Sequence, residues 1–219
     1  MIYFTGDMHG EYKRFKDKKI KQLKKDDVLV ICGDFGFVWS GDKKEQKILQ
    51  KIGKRTHITL FVPGANENFD LIAQYEDCTL FGGKVKHIQG NLYAAVTGQI
   101  YQTGSGKMVC FGGGMEYDEW MDMEPKEGQM PDILLLNQVL EEMKKQHIDY
   151  IASYRAPESI DGIMCRGAIK NGDYYAAFLE RVERQVDFGS WYFGRYHRDR
   201  RISPKFCAVY RECQLGGPF

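Results

Sequence analysis

The chain has 219 residues, of which 43% are hydrophobic, and its 31 basic and 30 acidic side chains leave a formal net charge of +1. This length suits one well-buried domain and is short for two of typical size. The near balance of charges predicts no general attraction to nucleic acid or to anionic lipid. We therefore expect a single domain over residues 1–219, and any such binding has to come from a local patch.

The first half of the chain alternates strand-like and helix-like segments. Apolar runs at Ile2–Thr5, Val28–Cys32 and Thr59–Val62 predict strands, and the charged segment Lys43–Lys51 is compatible with a helix. Successive βα units of this kind build a parallel sheet. Residues 86–111 then change to short apolar runs separated by glycines, which predicts an antiparallel meander.

The second half returns to alternation after a glycine-rich stretch. The segment Met115–Met130 is acidic and aperiodic, which predicts a surface loop or lid. Helical spacing of apolar residues follows over 131–147 and 174–186. Further strands are predicted at Tyr150–Ala152, Trp191–Phe193 and Phe206–Tyr210, and the tail Leu215–Phe219 is expected to fray. The whole pattern indicates the α/β class.

The chain shows no pattern of secretion or membrane insertion. Its first residues lead straight into a predicted strand, and no apolar stretch approaches membrane-spanning length. The six cysteines lack Cys-x-x-Cys spacing, which favours reduced, mostly buried thiols over a disulfide framework. We expect a cytoplasmic protein that makes no membrane contact.

Polar residues follow two predicted strands at their carboxyl ends. Gly6-Asp7-Met8-His9 comes after the first strand and Gly33-Asp34 after the second. In a parallel sheet such ends lie side by side, and ligands gather in the crevice outside them. Carboxylates together with an imidazole predict an oxygen and nitrogen metal site, suited to Mn, Fe or Zn.

Five motifs occur in one order along nearly the whole chain, and together they resemble the calcineurin-like metallophosphoesterases. They are Gly6-Asp7-Met8-His9, Gly33-Asp34, Pro63-Gly64-Ala65-Asn66-Glu67, Ser153-Tyr154-Arg155-Ala156-Pro157 and Gly194-Arg195-Tyr196-His197. The residues around Glu67–Asp70 and His197–Arg201 look like a small bacterial or phage branch. The resemblance implies an αββα sandwich, in which two mixed β-sheets pack face to face with helices outside.

The resemblance also implies a set of metal ligands. One metal would be held by Asp7, His9, Asp34 and His197, all of which this chain retains. The second metal would share Asp34, but its other three ligand positions are occupied by Ala65, Tyr154 and Arg195. The family's proton-donating histidine is replaced by Asn66, unless the motif is shifted by one so that Asn66 supplies an amide oxygen.

These replacements predict one divalent metal and no second one. Asn66 and Arg195 replace family histidines and are the candidate catalytic residues, and Arg155 and Arg195 are the candidate phosphate-binding residues. Our hypothesis is that Arg195 stands beside Asp34 as a permanent cation in place of the second metal, because a guanidinium cannot ligate a metal but pairs well with phosphate. The alternatives are structural ion pairs of the two arginines with Asp34 or Glu67, and Tyr154 as a filler of the vacated pocket.

The predicted function is binding of a phosphorylated small molecule or nucleotide, with weak or absent hydrolysis. One alternative is an active phosphomonoester or phosphodiester hydrolase that uses one metal plus Arg195. A second alternative is an interaction protein without metal. Eight basic residues between Lys13 and Lys25 leave nucleic-acid binding open, although such a run is usually a solvated face.

Overall fold

The computed structural model describes residues 1–114, 128–165 and 174–217. The strands of this part of the chain are β1 (Ile2–Gly6), β2 (Val28–Cys32), β3 (Ile58–Val62), β4 (Glu76–Leu80), β5 (Gly83–Gln89), β6 (Leu92–Ala95), β7 (Ile100–Thr103), β8 (Gly106–Phe111), β9 (Ile148–Ser153), β10 (Phe188–Phe193), β11 (Arg200–Arg201), β12 (Phe206–Ala208) and β13 (Gln214–Leu215). The helices are α1 (Lys18–Lys21), α2 (Lys43–Gly53), α3 (Phe69–Ala73), α4 (Ile133–Met143), α5 (Glu158–Met164) and α6 (Tyr174–Gln185), and a 3-10 helix at Tyr12–Lys16 precedes α1.

The strands form two mixed sheets. The first has the order β13-β1-β2-β3-β6-β5-β4, and β1, β2, β3 and β6 within it are parallel neighbours. The second has the order β11-β12-β10-β9-β8-β7, with a parallel centre of β12, β10, β9 and β8. Each sheet therefore presents several carboxyl ends along one edge, where the motifs of the sequence lie.

Alternation along the strands explains the layers. Phe4, Val30 and Leu60 point from the first sheet into a shared core with Tyr192 and Met108 of the second. The residues that alternate with these along the strands point to the other face of the first sheet, where they pack against α1, α2 and the 3-10 helix. The outer face of the second sheet packs against α4, α5 and α6. This is the predicted αββα sandwich, and the prediction of fold class is confirmed.

The antiparallel meander predicted over residues 86–111 is only partly correct. The strands β5 and β6 pair antiparallel in the first sheet, but β7 and β8 belong to the second. Short apolar runs carry no signal for which sheet they join, because both faces of both sheets are buried. The tail predicted to fray, Leu215–Phe219, also differs at its start, because Leu215 pairs with Tyr3 of β1; residues 218–219 lie outside the described residues. Most of the predicted lid, residues 115–127, lies outside the described residues.

Two of the three predicted helices begin at aspartate caps. Asp42 accepts hydrogen bonds from the backbone N–H groups of the first turn of α2, and Asp132 does the same for α4. All six cysteines are free and four of them are buried, as predicted. Within the described parts of the chain, no helix has the length and apolarity needed to cross a bilayer.

His57 is a buried histidine at the opposite end of β3 from the motifs. It is only 2% exposed, and its Nε2 has no hydrogen-bond partner among the described residues. Burial, and then the charge of Arg55, lowers the pKa of His57 to about 4. The folded protein therefore holds this imidazole neutral at a pH where an unfolded chain would protonate it.

We expect His57 to make the protein sensitive to acid. The unfolded pKa is about 6.5, so stability is complete above that pH and is lost as the pH falls toward 4, by up to about 3 kcal/mol. Denaturant unfolding at pH 7.0 and 4.5 should show this loss reduced in His57→Gln. His147→Gln is the matched control, because His147 is exposed and paired with Asp187 at 2.7 Å. Equal losses in the wild type and His57→Gln would contradict the assignment.

Candidate metal centre

The two aspartates of the motifs lie at neighbouring strand ends. Parallel pairing of β1 with β2 sets Gly6 opposite Cys32, so Asp7 and Asp34 leave the sheet side by side, and both are buried. The loops that follow are tied together, since the His9 N–H donates to the Asp34 carbonyl at 2.8 Å and the Gly10 N–H to that of Phe35 at 3.0 Å. Strand register thus positions both carboxylates before any ligand is bound.

Three predicted ligands converge in the structure. Asp7, His9 and His197 each offer one ligand atom, and these atoms lie within 4.8 Å of one another. The Nε2 atoms of His9 and His197 are 2.8 Å apart, and their rings meet edge to face. Two nitrogens bound tetrahedrally to a zinc ion at about 2.1 Å lie roughly 3.4 Å apart, so a small separation of the two rings would admit the ion. One carboxylate and two imidazoles are a donor set that fits a divalent metal with open positions for other ligands.

Backbone contacts fix the orientation of Asp7. Both of its carboxylate oxygens accept from the backbone N–H of Arg195 at 2.9 Å. Its carbonyl accepts from the Arg14 guanidinium at 2.7 Å. Arg14 was not among the predicted site residues, because it belongs to the basic run Lys13–Lys25 and nothing in the sequence separates it from that run. In the structure, the hydrogen bond from Arg14 to the Asp7 carbonyl holds the end of β1 in place.

The backbone is strained at this centre. Besides Phe81, the non-glycine residues with positive φ in the described chain are Asp7 (21°), His9 (46°), Asp34 (35°), Arg195 (71°) and His197 (49°). Such conformations cost about 1 kcal/mol or more each and persist where the surroundings over-determine them. Strain concentrated on the motif residues is typical of a site whose geometry serves binding.

Asp34 is held differently from the other three predicted ligands. It does not belong to the three-residue group. Its Oδ1 accepts from the Asn66 backbone N–H at 3.0 Å, its Oδ2 from the Asn66 side-chain amide at 2.9 Å, and the Tyr154 hydroxyl lies 3.4 Å from Oδ2. The residues that replace the family's metal ligand and proton donor thus hydrogen-bond to the carboxylate that two metals would share.

Tyr154 fills space over the end of β2. Its side chain is fully buried, and a Cβ built on Gly33 would lie 2.2 Å from its Cδ2. Gly33 has φ of +93°, so both its backbone and its neighbour require glycine. Tyr154 therefore has a packing role at the end of β2, and its role as a filler of a vacated metal pocket stays a prediction.

Glu67 is a buried carboxylate beneath the loop that follows Asp34. It accepts from the Phe35 N–H at 2.5 Å and from the Gly36 N–H at 3.4 Å, and it is 0% exposed. Burial, and then the charge of Asp34, raises the pKa of Glu67 well above its usual value, although the backbone hydrogen bonds act in the opposite direction. Glu67 therefore ties the loop after β3 to the loop after β2.

We expect Glu67→Ala to lower the free energy of unfolding by about 2–5 kcal/mol, because each buried N–H left without an acceptor costs about 1–3 kcal/mol. Glu67→Gln keeps an acceptor oxygen and should lose less than half as much in denaturant unfolding. Glu45→Ala is the matched control, since Glu45 accepts from Trp39, Ser40 and Gly41 in an exposed loop that water can solvate. Equal losses in Glu45→Ala and Glu67→Ala would contradict this explanation.

The two candidate phosphate-binding arginines lie in different surroundings. The Arg195 guanidinium is 3.1 Å from Asp161 of α5, and the Tyr196 hydroxyl donates to the same carboxylate. The sequence predicted Asp34 or Glu67 as the ion-pair partner, and Asp161 was missed because it belongs to no motif. Arg155 is 5% exposed, and its aliphatic part lies against Gly114. A phosphate-binding role stays a prediction for both.

His197 has an aromatic wall that the sequence did not reveal. The Tyr210 ring stacks on the His197 ring, with centroids 4.9 Å apart. The Tyr210 carbonyl accepts from Gly6 N–H, from the Thr5 hydroxyl and from Arg14, which anchors it to the end of β1. Tyr210 was predicted only as a strand residue, because a stacked pair between distant segments leaves no local pattern.

The comparisons with known proteins agree with this architecture. The family model described as calcineurin-like phosphoesterase matches residues 1–194. Among solved structures, the crystal structure of a phosphopantetheinyl hydrolase from Mycobacterium tuberculosis aligns with a TM-score of 0.50 and 14% identity, over 95% of this chain and 89% of that chain. At this identity the likeness concerns the fold alone. The search of curated proteins found no match.

Proposed function

The chain belongs to the calcineurin-like phosphoesterase family, and we propose that it is a one-metal member that binds a phosphorylated ligand and hydrolyses it weakly or not at all. Asp7, His9 and His197, together with Asp34, would hold the metal. The single observation that carries this proposal is the state of Asp34, whose two carboxylate oxygens are hydrogen-bonded by Asn66 and approached by Tyr154. A second metal would have to displace those contacts.

The remaining second-site positions offer poor replacements for ligands. Ala65 has no donor atom in its side chain. Arg195 stays protonated in proteins and cannot ligate a cation. Its guanidinium forms an ion pair with Asp161, which offsets its charge and weakens the alternative of an active one-metal hydrolase with Arg195 as the electrophile.

The chemistry left to the site is binding more than turnover. A bound divalent metal would supply positive charge to a phosphoryl oxygen and acidity to bound water. Asn66 stands where the family has its proton donor, and its amide cannot deliver a proton to a leaving group. Loss of such a proton donor typically lowers the rate of the catalysed reaction by about 10²–10⁴-fold. The strained ligands Asp7, His9 and His197 still preorganise one anion-attracting centre.

The ligand class follows from the same residues. We propose a phosphate monoester or a nucleotide, since a metal and arginines around one crevice favour a phosphorylated anion. Free cysteines support a reducing compartment, and we propose the cytoplasm. Manganese, iron and zinc all suit the carboxylate and imidazole donor set.

Metal stoichiometry tests the proposal. Calorimetric titration of chelator-stripped protein with Mn²⁺ should show one ion per chain, and Asp7→Ala should abolish the binding. His147→Ala is the control, because this exposed histidine pairs with Asp187 outside the centre. Two ions per chain would overturn the one-metal assignment, and no binding at all would leave a phosphoesterase fold used without metal.

A further inference from the structure

Three exposed arginines without an ion-pair partner among the described acidic residues lie in the two chain segments next to the candidate ligand His197. Arg198, Arg200 and Arg211 are exposed, and none of the three forms an ion pair with a described residue. We call these three residues the arginine rim. Other arginines of the described chain have partners, such as Arg184 with Glu180 and Arg195 with Asp161.

Asp199 connects the two chain segments that carry the rim. Its carboxylate accepts from three consecutive backbone N–H groups, those of Tyr210 at 2.8 Å, Arg211 at 2.9 Å and Glu212 at 3.2 Å. This ties the turn that carries His197 and Arg198 to the segment that carries Tyr210 and Arg211. The carboxylate keeps its negative charge, which acts on Arg211 and offsets part of the rim's positive charge.

The ring of Tyr210 connects Arg211 of the rim to His197. Tyr210 stacks on His197, and the Arg211 guanidinium lies 5.3 Å from the centre of the Tyr210 ring. Arg198 follows His197 directly in the chain. Cations therefore flank an exposed metal-ligand candidate on both segments. The acidic side chains of this region are Glu11 and Asp199, whose charges act on Arg211, and the exposed Glu212. Three cations therefore face three carboxylates, of which Asp199 is held by backbone amides.

We propose that the arginine rim binds a second phosphate of the ligand, beyond the one at the metal. This inference rests on the proposed function and narrows the ligand to one that carries two phosphate groups, either a bisphosphorylated small molecule or the end of an oligonucleotide. Exposed guanidinium groups are weak partners for carboxylates in water but pair well with phosphate through two parallel hydrogen bonds.

Binding to the Mn²⁺-loaded full chain tests this. The probes are thymidine 5′-phosphate, thymidine 3′,5′-bisphosphate, 5′-phosphorylated dithymidylate, and the same dinucleotide with a neutral methylphosphonate link. We expect at least one charged second group to tighten binding about tenfold over thymidine 5′-phosphate. The methylphosphonate should show no such gain, and added salt should reduce the gain. A gain only with the bisphosphate indicates a small molecule, and a gain only with the diester indicates an oligonucleotide.

Arginine variants complete the test. Arg198→Ala combined with Arg211→Ala should remove the gain and leave thymidine 5′-phosphate binding within about twofold. Arg181→Ala is the control, since this exposed arginine contacts Asn137 on α4, away from the centre. If thymidine 5′-phosphate binds and the second phosphate adds nothing, only this inference is overturned. If thymidine 5′-phosphate itself does not bind, the proposed function is overturned as well.

Discussion

Combining Ala65→Asn, Asn66→His, Tyr154→His and Arg195→His should create a second metal site and raise phosphoesterase activity by about 100-fold or more. The expectation follows from the family pattern, since each change restores a ligand or the proton donor. Two metals share the task of activating water and of holding phosphoryl oxygens, and a positioned donor adds about 10²–10⁴-fold. Mn²⁺ calorimetry and release of nitrophenol from p-nitrophenyl phosphate measure the two effects separately.

The surroundings of the four positions favour this conversion. Asp7 accepts from the backbone N–H of Arg195 and not from its side chain, so Arg195→His leaves that contact in place. Asn66→His and Tyr154→His remove the side-chain contacts on Asp34 Oδ2. The cost falls on stability, because Arg195→His breaks the ion pair with Asp161 and Tyr154→His reduces a buried ring.

Two controls separate metal binding from proton donation. The triple variant that keeps Asn66 should bind two ions but gain less activity than the fourfold variant. Adding Asp34→Asn to the fourfold variant should remove the second ion and weaken binding of the first, because both metals would share that carboxylate in the proposed site. If the unaltered chain already binds two ions, the one-metal proposal is wrong. If the fourfold variant still binds one ion, the assignment of these positions to a second metal site is wrong.

The sequence predicted the parts of the site that depend on strand ends. Asp7 and Asp34 follow uninterrupted apolar strands, and parallel pairing of neighbouring strands leaves little choice about where their carboxyl ends lie. The class of fold follows from the same alternation. His9 was predicted from the same strand end as Asp7, and His197 through the resemblance; the structure brings both together with Asp7.

Other parts of the site depend on contacts between distant segments. The stacking of Tyr210 on His197 depends on the turn that the Asp199 carboxylate holds by hydrogen bonds. The ion pair between Arg195 and Asp161 depends on the position of α5 beside that turn. Neither contact has a spacing rule along the chain. The sequence also does not predict the positive φ angles of Asp7, His9, Asp34, Arg195 and His197. The tertiary structure imposes these angles on residue types that usually avoid them.

Gly33→Ala should be among the most destabilising substitutions in the chain, with a loss of about 2–5 kcal/mol in the free energy of unfolding. An L-residue at φ +93° costs about 1–2 kcal/mol, and a methyl group forced to within 2.2 Å of the Tyr154 ring adds about 1–3 kcal/mol of overpacking. Gly82→Ala is the matched control, because Gly82 has φ of +80° and no atom within 4 Å of an added Cβ. Denaturant unfolding of Gly82→Ala should show the backbone cost alone.

A double-mutant cycle with Tyr154→Ala isolates the steric part. Removing the ring creates a cavity and is itself destabilising, by about 3–5 kcal/mol, but it also takes away the atoms that the new methyl group meets. The double variant should therefore lose about 1–3 kcal/mol less than the sum of the single variants. Additive losses would mean that Tyr154 does not press on the end of β2. The second-metal pocket would then be open, and the case for a single metal would rest on the identities of Ala65 and Arg195 alone.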